Sequence, residues 1–198
     1  MWKDAEEFLS KDKYIAPLIQ RWGSCTIKPK VHVNYFQALV GEIIGQQLSG
    51  KVADVIESRL RSCVVGRLTP NKILGLPEVK LRDCGMAWSK VRAIKDLSKK
   101  VKANKLHIKK LSELLDDEVK KELISVKGIG SWTADMFLMF TLGRPDIFPT
   151  EDLGIKKGFE KVTGKKWDKI KSAKFSEKYW KPYRTIASWY LWRSLENR

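Results

Sequence analysis

VKGIGSWTADMF (residues 126–137) decides how this chain is read. Two glycines stand one residue apart, ahead of a tryptophan and an apolar run. Apolar residues at helical spacing precede it (Val119 to Ile124) and follow it (Met136, Phe137, Met139, Phe140), so the glycines punctuate a pair of helices joined by a tight turn. One glycine can take the positive φ that ends the first helix, and the other lets the backbone approach something outside. N–H groups at the start of the second helix point out of such a turn and suit a phosphate oxygen, with the charge of Lys127 beside them. On this reading Lys127, Gly128, Ile129 and Gly130 form a backbone cradle for a phosphate. A plain tight turn satisfies the same residues, and the pattern alone leaves both open.

Outward from that turn the chain is helical almost throughout. Phe36, Leu39, Val40, Ile43 and Ile44 repeat at helical spacing until GQQLSG (residues 45–50) interrupts, and Ser49 is the expected N-cap of a helix carrying Val52, Val55, Ile56 and Leu60. Ser131 is expected to cap the helix through Trp132 and Phe140, a segment apolar enough to be central and buried. Thr150, after Pro149, marks the start of a helix through Ile155 and Phe159, with Asp152 in its first turn. Pro182 suits the first turn of a last helix bearing Ile186, Trp189, Tyr190 and Trp192. Strand alternation is nearly absent. The expected fold class is all-α and compact.

Charge sets the class of partner. The 198 residues carry 39 Lys+Arg against 23 Asp+Glu, a formal +16 with pI near 9.8. An apolar fraction of 43% is ordinary for a cored protein, so disorder does not explain the surplus. The basic residues spread along the whole chain instead of lining one amphipathic helix, which favours nucleic acid over an anionic membrane. Three cysteines, Cys25, Cys63 and Cys84, form no CxxC pair, and His32 and His107 are the only histidines, so no side-chain metal site is expected. Reduced thiols, a charged N-terminus and the lack of a long apolar run point to a soluble intracellular protein.

Three separated stretches sharpen this. LISVKGIGSWTADMFLMFTLGRPDIFPTEDLGIKKGF (residues 123–159), GEIIGQQLS (41–49) and WKPYRTIASWYLWR (180–193) resemble, in order, segments of the helix-hairpin-helix (HhH-GPD) DNA glycosylase superfamily, in its DNA-3-methyladenine glycosylase II branch. The resemblance runs from about residue 20 to 193. It implies a compact two-lobed helical fold without the extra N-terminal β-lobe of some relatives. The whole of 1–198 then forms one glycosylase unit: a core lobe of about 35–148 with the hairpin at 126–131, and a second lobe from about 1–34 plus 149–198.

The resemblance also assigns roles. Asp152 matches the catalytic carboxylate, a fixed anion beside a deoxyribose that gains positive charge as its N-glycosidic bond breaks. Without the resemblance, Asp152 and Glu151 read equally as acidic decoration of a helix N-terminus. Trp132 stands where strand-cutting members keep the lysine that forms a Schiff base, so no lyase step is expected. Trp132 and Trp192 are assigned to the base pocket, where an indole can stack on a flipped, cationic base, although helical spacing alone would make either of them core. Met136 falls in the same pocket where that branch can carry a tyrosine, a departure that leaves base preference open. Gln47, with Leu48, matches the side chain that fills the gap left in the duplex. The expected activity is a monofunctional base-excision glycosylase acting on alkylated purines of the 3-methyladenine and 7-methylguanine type. Two other readings stay open: the same fold acting on deaminated or oxidised bases, and a non-catalytic DNA-binding protein.

No cofactor is expected beyond a monovalent cation at the hairpin backbone, and no iron–sulfur cluster, since no cysteine follows Cys84. The partner implied is double-stranded damaged DNA, bound by a monomer with no membrane involvement, in the nucleoid-associated cytoplasm or in a nucleus.

Overall fold

The structure, a computed structural model, describes residues 1–29 and 34–196. His32 therefore lies outside the described residues. The described chain is helical with no strand, and it divides into two compact units, Met1–Pro29 with Leu138–Arg198 and Lys30–Phe137. The first unit opens with α1 (Lys3–Leu9) and α2 (Ala16–Trp22). The second holds α3 (Tyr35–Gly45), α4 (Gly50–Ser62), α5 (Pro70–Gly75), α6 (Glu78–Asp83), α7 (Trp88–Lys102), a 3-10 turn at Ile108–Lys110, α8 (Asp116–Ile124) and α9 (Ser131–Met136). The chain continues through a π-helical stretch, Phe137–Thr141, and returns to the first unit for α10 (Leu153–Thr163), α11 (Lys169–Trp180) and α12 (Arg184–Arg193). No helix among the described residues is long and apolar enough to cross a membrane.

In the first unit α12 is the axis, with α1, α2, α10 and α11 packed on it. Its Ile186, Ala187, Tyr190 and Leu191 are fully buried against Leu9, Ile15, Ile155, Phe159 and Trp180. Aromatic edges meet faces across this core: Phe159 lies 5.5 Å from Trp167 and 5.4 Å from Phe175, ring centre to ring centre. Each large side chain so buried contributes about 1.5–3 kcal/mol. The second boundary of the units falls at Phe137/Leu138, where the sequence places it near residue 148. The cause is visible in the hydrogen bonds of residues 144–147. Thr185 Oγ1 donates to Arg144 O and accepts from Ile147 N, and Arg184 pairs with Asp146 at 2.8 Å, which binds this segment to the start of α12. The same Asp146 carboxylate accepts the Arg184 N–H, so α12 begins at Arg184 and Pro182 precedes it instead of forming its first turn.

In the second unit α3 and α7 are central: α4, α7 and α9 pack on α3, and α5 and α6 on α7. The apolar face expected of α3 is buried, as are Val91, Ile94 and Leu97 of α7 and Ile56 and Leu60 of α4, while Val52 and Val55 face outward. Two lysines of α7 point inward. Lys95, 8% exposed, donates to Ile73 O, Leu74 O and Leu76 O, capping the C-terminus of α5. Lys90 does the same for α3 through Ile44 O and Gln46 O, both at 2.8 Å. Burial lowers the pKa of both ammonium groups.

Candidate active site

In the first unit the residues around Asp152 form a small built assembly. Asp152 is the N-cap of α10, with extended backbone, and its Oδ1 accepts the Ile155 N–H at 2.8 Å. The helix therefore starts two residues later than Thr150 suggests, because Asp152 itself satisfies a free N–H of the first turn while Thr150 and Glu151 form the turn before it. Glu151 is exposed and pairs with Lys169. The same Oδ1 of Asp152 also accepts the indole N–H of Trp192 at 2.8 Å. Trp192 is half-buried and stacks on Phe140, the ring centres 6.0 Å apart and the planes 25° from parallel. The resemblance implies a pocket wall for Trp192; what the structure shows is its indole N–H held on the carboxylate.

That contact depends on glycine. A Cβ on Gly154 would lie 2.8 Å from Trp192 Cδ1 and 3.0 Å from both Trp192 Nε1 and Asp152 Oδ1. One turn on, a Cβ on Gly158 would meet the Leu191 carbonyl oxygen at 2.5 Å. The Gly-x-x-x-Gly face of α10 thus lets α12 approach closely enough to put the indole on the carboxylate. Neither glycine is singled out by the sequence reading, although their spacing is the available signal.

In the second unit, α8, the turn at 125–130 and α9 form the hairpin. Gly128 takes φ 82°, and a Cβ there would stand 2.9 Å from that of Ala93, so conformation and space both require glycine. Gly130, not Ser131, is the N-cap of α9, and nothing lies within 4 Å of where its Cβ would be. Ile129 is buried between them, pinning the turn so that its backbone, not its side chain, faces outward. The Asp96 carboxylate accepts the Lys127 N–H at 2.9 Å, and Lys120 pairs at 2.6 Å with Asp135, whose side chain is 2% exposed. α7 is thereby tied to the turn, and the two helices of the hairpin, α8 and α9, to each other. Trp132 is half-buried and Met136 buried.

The interruption after α3 is fastened to the same hairpin. Gln46 Nε2 donates to Gly128 O at 2.9 Å and to Thr133 Oγ1 at 3.0 Å, while Lys90 holds the Gln46 carbonyl. Gln47 then turns outward with φ 57°, an uncommon value for a side-chain-bearing residue, and both it and Leu48 are exposed. Of two adjacent glutamines, one anchors and the next projects. Ser49 is the N-cap of α4, without a side-chain hydrogen bond. Gln46, Asp96 and Lys90 are the residues that sequence reasoning passes over here.

Comparison with known proteins places this geometry. The family profile described as "HhH-GPD superfamily base excision DNA repair protein" matches residues 40–183, and the chain belongs to that superfamily. It is 31% identical over 165 residues to DNA-3-methyladenine glycosylase 1 of Schizosaccharomyces pombe, covering 80% of this chain and 72% of that protein. It is likewise 31% identical over 202 residues to the alkylbase DNA glycosidase-like protein mag2 of the same organism, covering 97% and 93%. Among solved structures, the 3-methyladenine DNA glycosylase Mag1 of that yeast, in complex with abasic DNA, superposes with a TM-score of 0.84 at 29% identity, covering 97% of this chain and 96% of Mag1.

Proposed function

We propose that this protein is a monofunctional DNA glycosylase that flips alkylated purines out of double-stranded DNA and hydrolyses their N-glycosidic bond, with Asp152 as the catalytic carboxylate. The observation that carries the proposal is the doubly held Oδ1 of Asp152, at the position where the superfamily places its acid. Two N–H donors on one oxygen fix the plane of the carboxylate before substrate arrives, so no reorganisation is needed as charge develops on the sugar. An alkylated purine is already cationic and leaves as a neutral base. The deoxyribose is left with oxocarbenium character, which the Asp152 anion stabilises; water then adds at C1′ and its proton passes to the carboxylate or to solvent. The relatives named as 3-methyladenine glycosylases support the choice of lesion.

Trp132 supports the absence of strand cleavage, since an indole cannot form an imine with the sugar. Lys127, Gly128 and Gly130 are proposed to hold a backbone phosphate, with Ile129 as the buried anchor of that turn, and Gln47 with Leu48 to fill the vacated base position. A monovalent cation at the hairpin carbonyls would share Gly128 O with Gln46 Nε2. The protein is proposed to act as a monomer, wherever the cell keeps its DNA.

Incubation with methylated, deaminated and oxidised duplexes, with mass identification of the released base, tests the reading. Methylated purines are expected, with an abasic strand left intact and no borohydride-trapped adduct. Asp152→Asn is expected to lower the rate by at least ~10²-fold; release at the wild-type rate sinks the mechanism.

A further inference from the structure

Cys63 and Cys84 are far apart in sequence and form no motif, yet the fold brings their sulfurs to 3.8 Å. Cys63 ends α4 and is exposed; Cys84 ends α6, is 3% exposed and donates its S–H to Lys80 O at 3.3 Å. Both sit at helix C-caps, so the backbone on the N-terminal side of each is held by its helix. Bond formation asks for a closure from 3.8 Å to about 2.05 Å, and Cys63, the exposed member of the pair, is the side chain with room to move. The remaining cysteine, Cys25, belongs to the other unit and is partly buried, its thiol pushed up to about 12 mainly by desolvation.

We propose that Cys63 and Cys84 are an oxidisable dithiol, a modification site that takes hydroperoxides and closes into an intramolecular disulfide. The Cys63 thiolate attacks the peroxide O–O bond, forming a sulfenic acid and releasing an alcohol, or water from hydrogen peroxide itself. The Cys84 sulfur then attacks the sulfenic sulfur; the S–S bond forms, the S–O bond breaks, and hydroxide leaves with the Cys84 proton as water. Two thiols are oxidised by two electrons and one peroxide is reduced. A small dithiol reverses the change by exchange. The order of events follows exposure: peroxide reaches Cys63, whereas burial and the neighbouring Cys63 sulfur push the Cys84 thiol up to about 11, so Cys84 resolves instead of attacking first. The disulfide would tie the far end of α4, the helix that begins just after Gln47 and Leu48, to the end of α6.

The test uses the full chain with hydrogen peroxide as oxidant, thiol counting after denaturation, intact mass, and peptide mapping. Two of the three thiols are expected to disappear, with a mass loss of two hydrogens, a peptide cross-link between Cys63 and Cys84, and full recovery in dithiothreitol. Cys84→Ala is expected to divert Cys63 to sulfinic acid or to a disulfide-linked dimer. Cys63→Ser is expected to leave Cys84 unoxidised under the same exposure, and does not disturb a buried position. Retention of three thiols in the wild type, or oxygenated Cys63 with Cys84 still free, overturns the proposal.

Discussion

At Asp152 a single oxygen receives N–H donors from Ile155 and Trp192, each at 2.8 Å, and Gly154 keeps open the space in which the second donor arrives. Gly154→Ala is expected to displace the indole and lower kcat on methylated DNA by ~10-fold or more, the order expected from losing a hydrogen bond to a charged acceptor. Trp192→Phe should do the same, and the double variant should be no worse than Trp192→Phe alone, because the glycine acts through the tryptophan. Additive losses in that cycle count against a positioning role. The sequence made Asp152 legible only through its surroundings, since an acidic residue at a helix start is commonplace. Its partner was hidden: Trp192 reads as pocket wall or core from helical spacing, and a hydrogen bond across two helices leaves no mark in a one-dimensional pattern.

At the scale of elements, the hairpin and the Gln46–Ser49 interruption behave as one assembly, joined by the two hydrogen bonds of Gln46. The proposed function assigns backbone grip and base reading to different residues within it, and this separation is measurable. Lys127→Glu is expected to weaken intact and damaged duplexes alike by several-fold, whereas Trp132→Ala should reduce binding and turnover mainly on damaged DNA. Titrations of both variants on paired duplexes decide; indistinguishable behaviour removes the proposed division of labour. Periodicity made the helices themselves legible, but their exact starts were not. Ser131 and Thr150 look like caps by residue type, while Gly130 and Asp152 hold those places because the cap is defined by where the backbone turns extended. Lys90 and Lys95 were equally opaque, since a lysine within a basic chain reads as solvated surface until its carbonyl partners are seen.

For the whole molecule, the formal +16 remains the strongest statement of partner class that composition allows. If distributed phosphate contacts dominate, affinity for a short duplex should fall by on the order of 10³-fold between 50 and 200 mM salt, with a linear log–log slope. Fluorescence anisotropy across that range measures it, and a nearly flat response argues for a partner other than a polyanion. The all-α class was legible from the absence of strand alternation. The division into two units was less so, because the boundary at Phe137/Leu138 lies inside a continuous apolar run whose pattern shows no break there.

Gln47 carries a consequence for how such a protein evolves. Its left-handed backbone costs the free fold ~1 kcal/mol that a glycine would not. Gln47→Gly is therefore expected to raise Tm by about 2–4 °C while slowing base release from duplex DNA. Selection for thermal robustness alone would erase this residue, and on the role proposed for it selection for repair would restore it. A variant library sorted first for stability and then for activity should show position 47 moving in opposite directions.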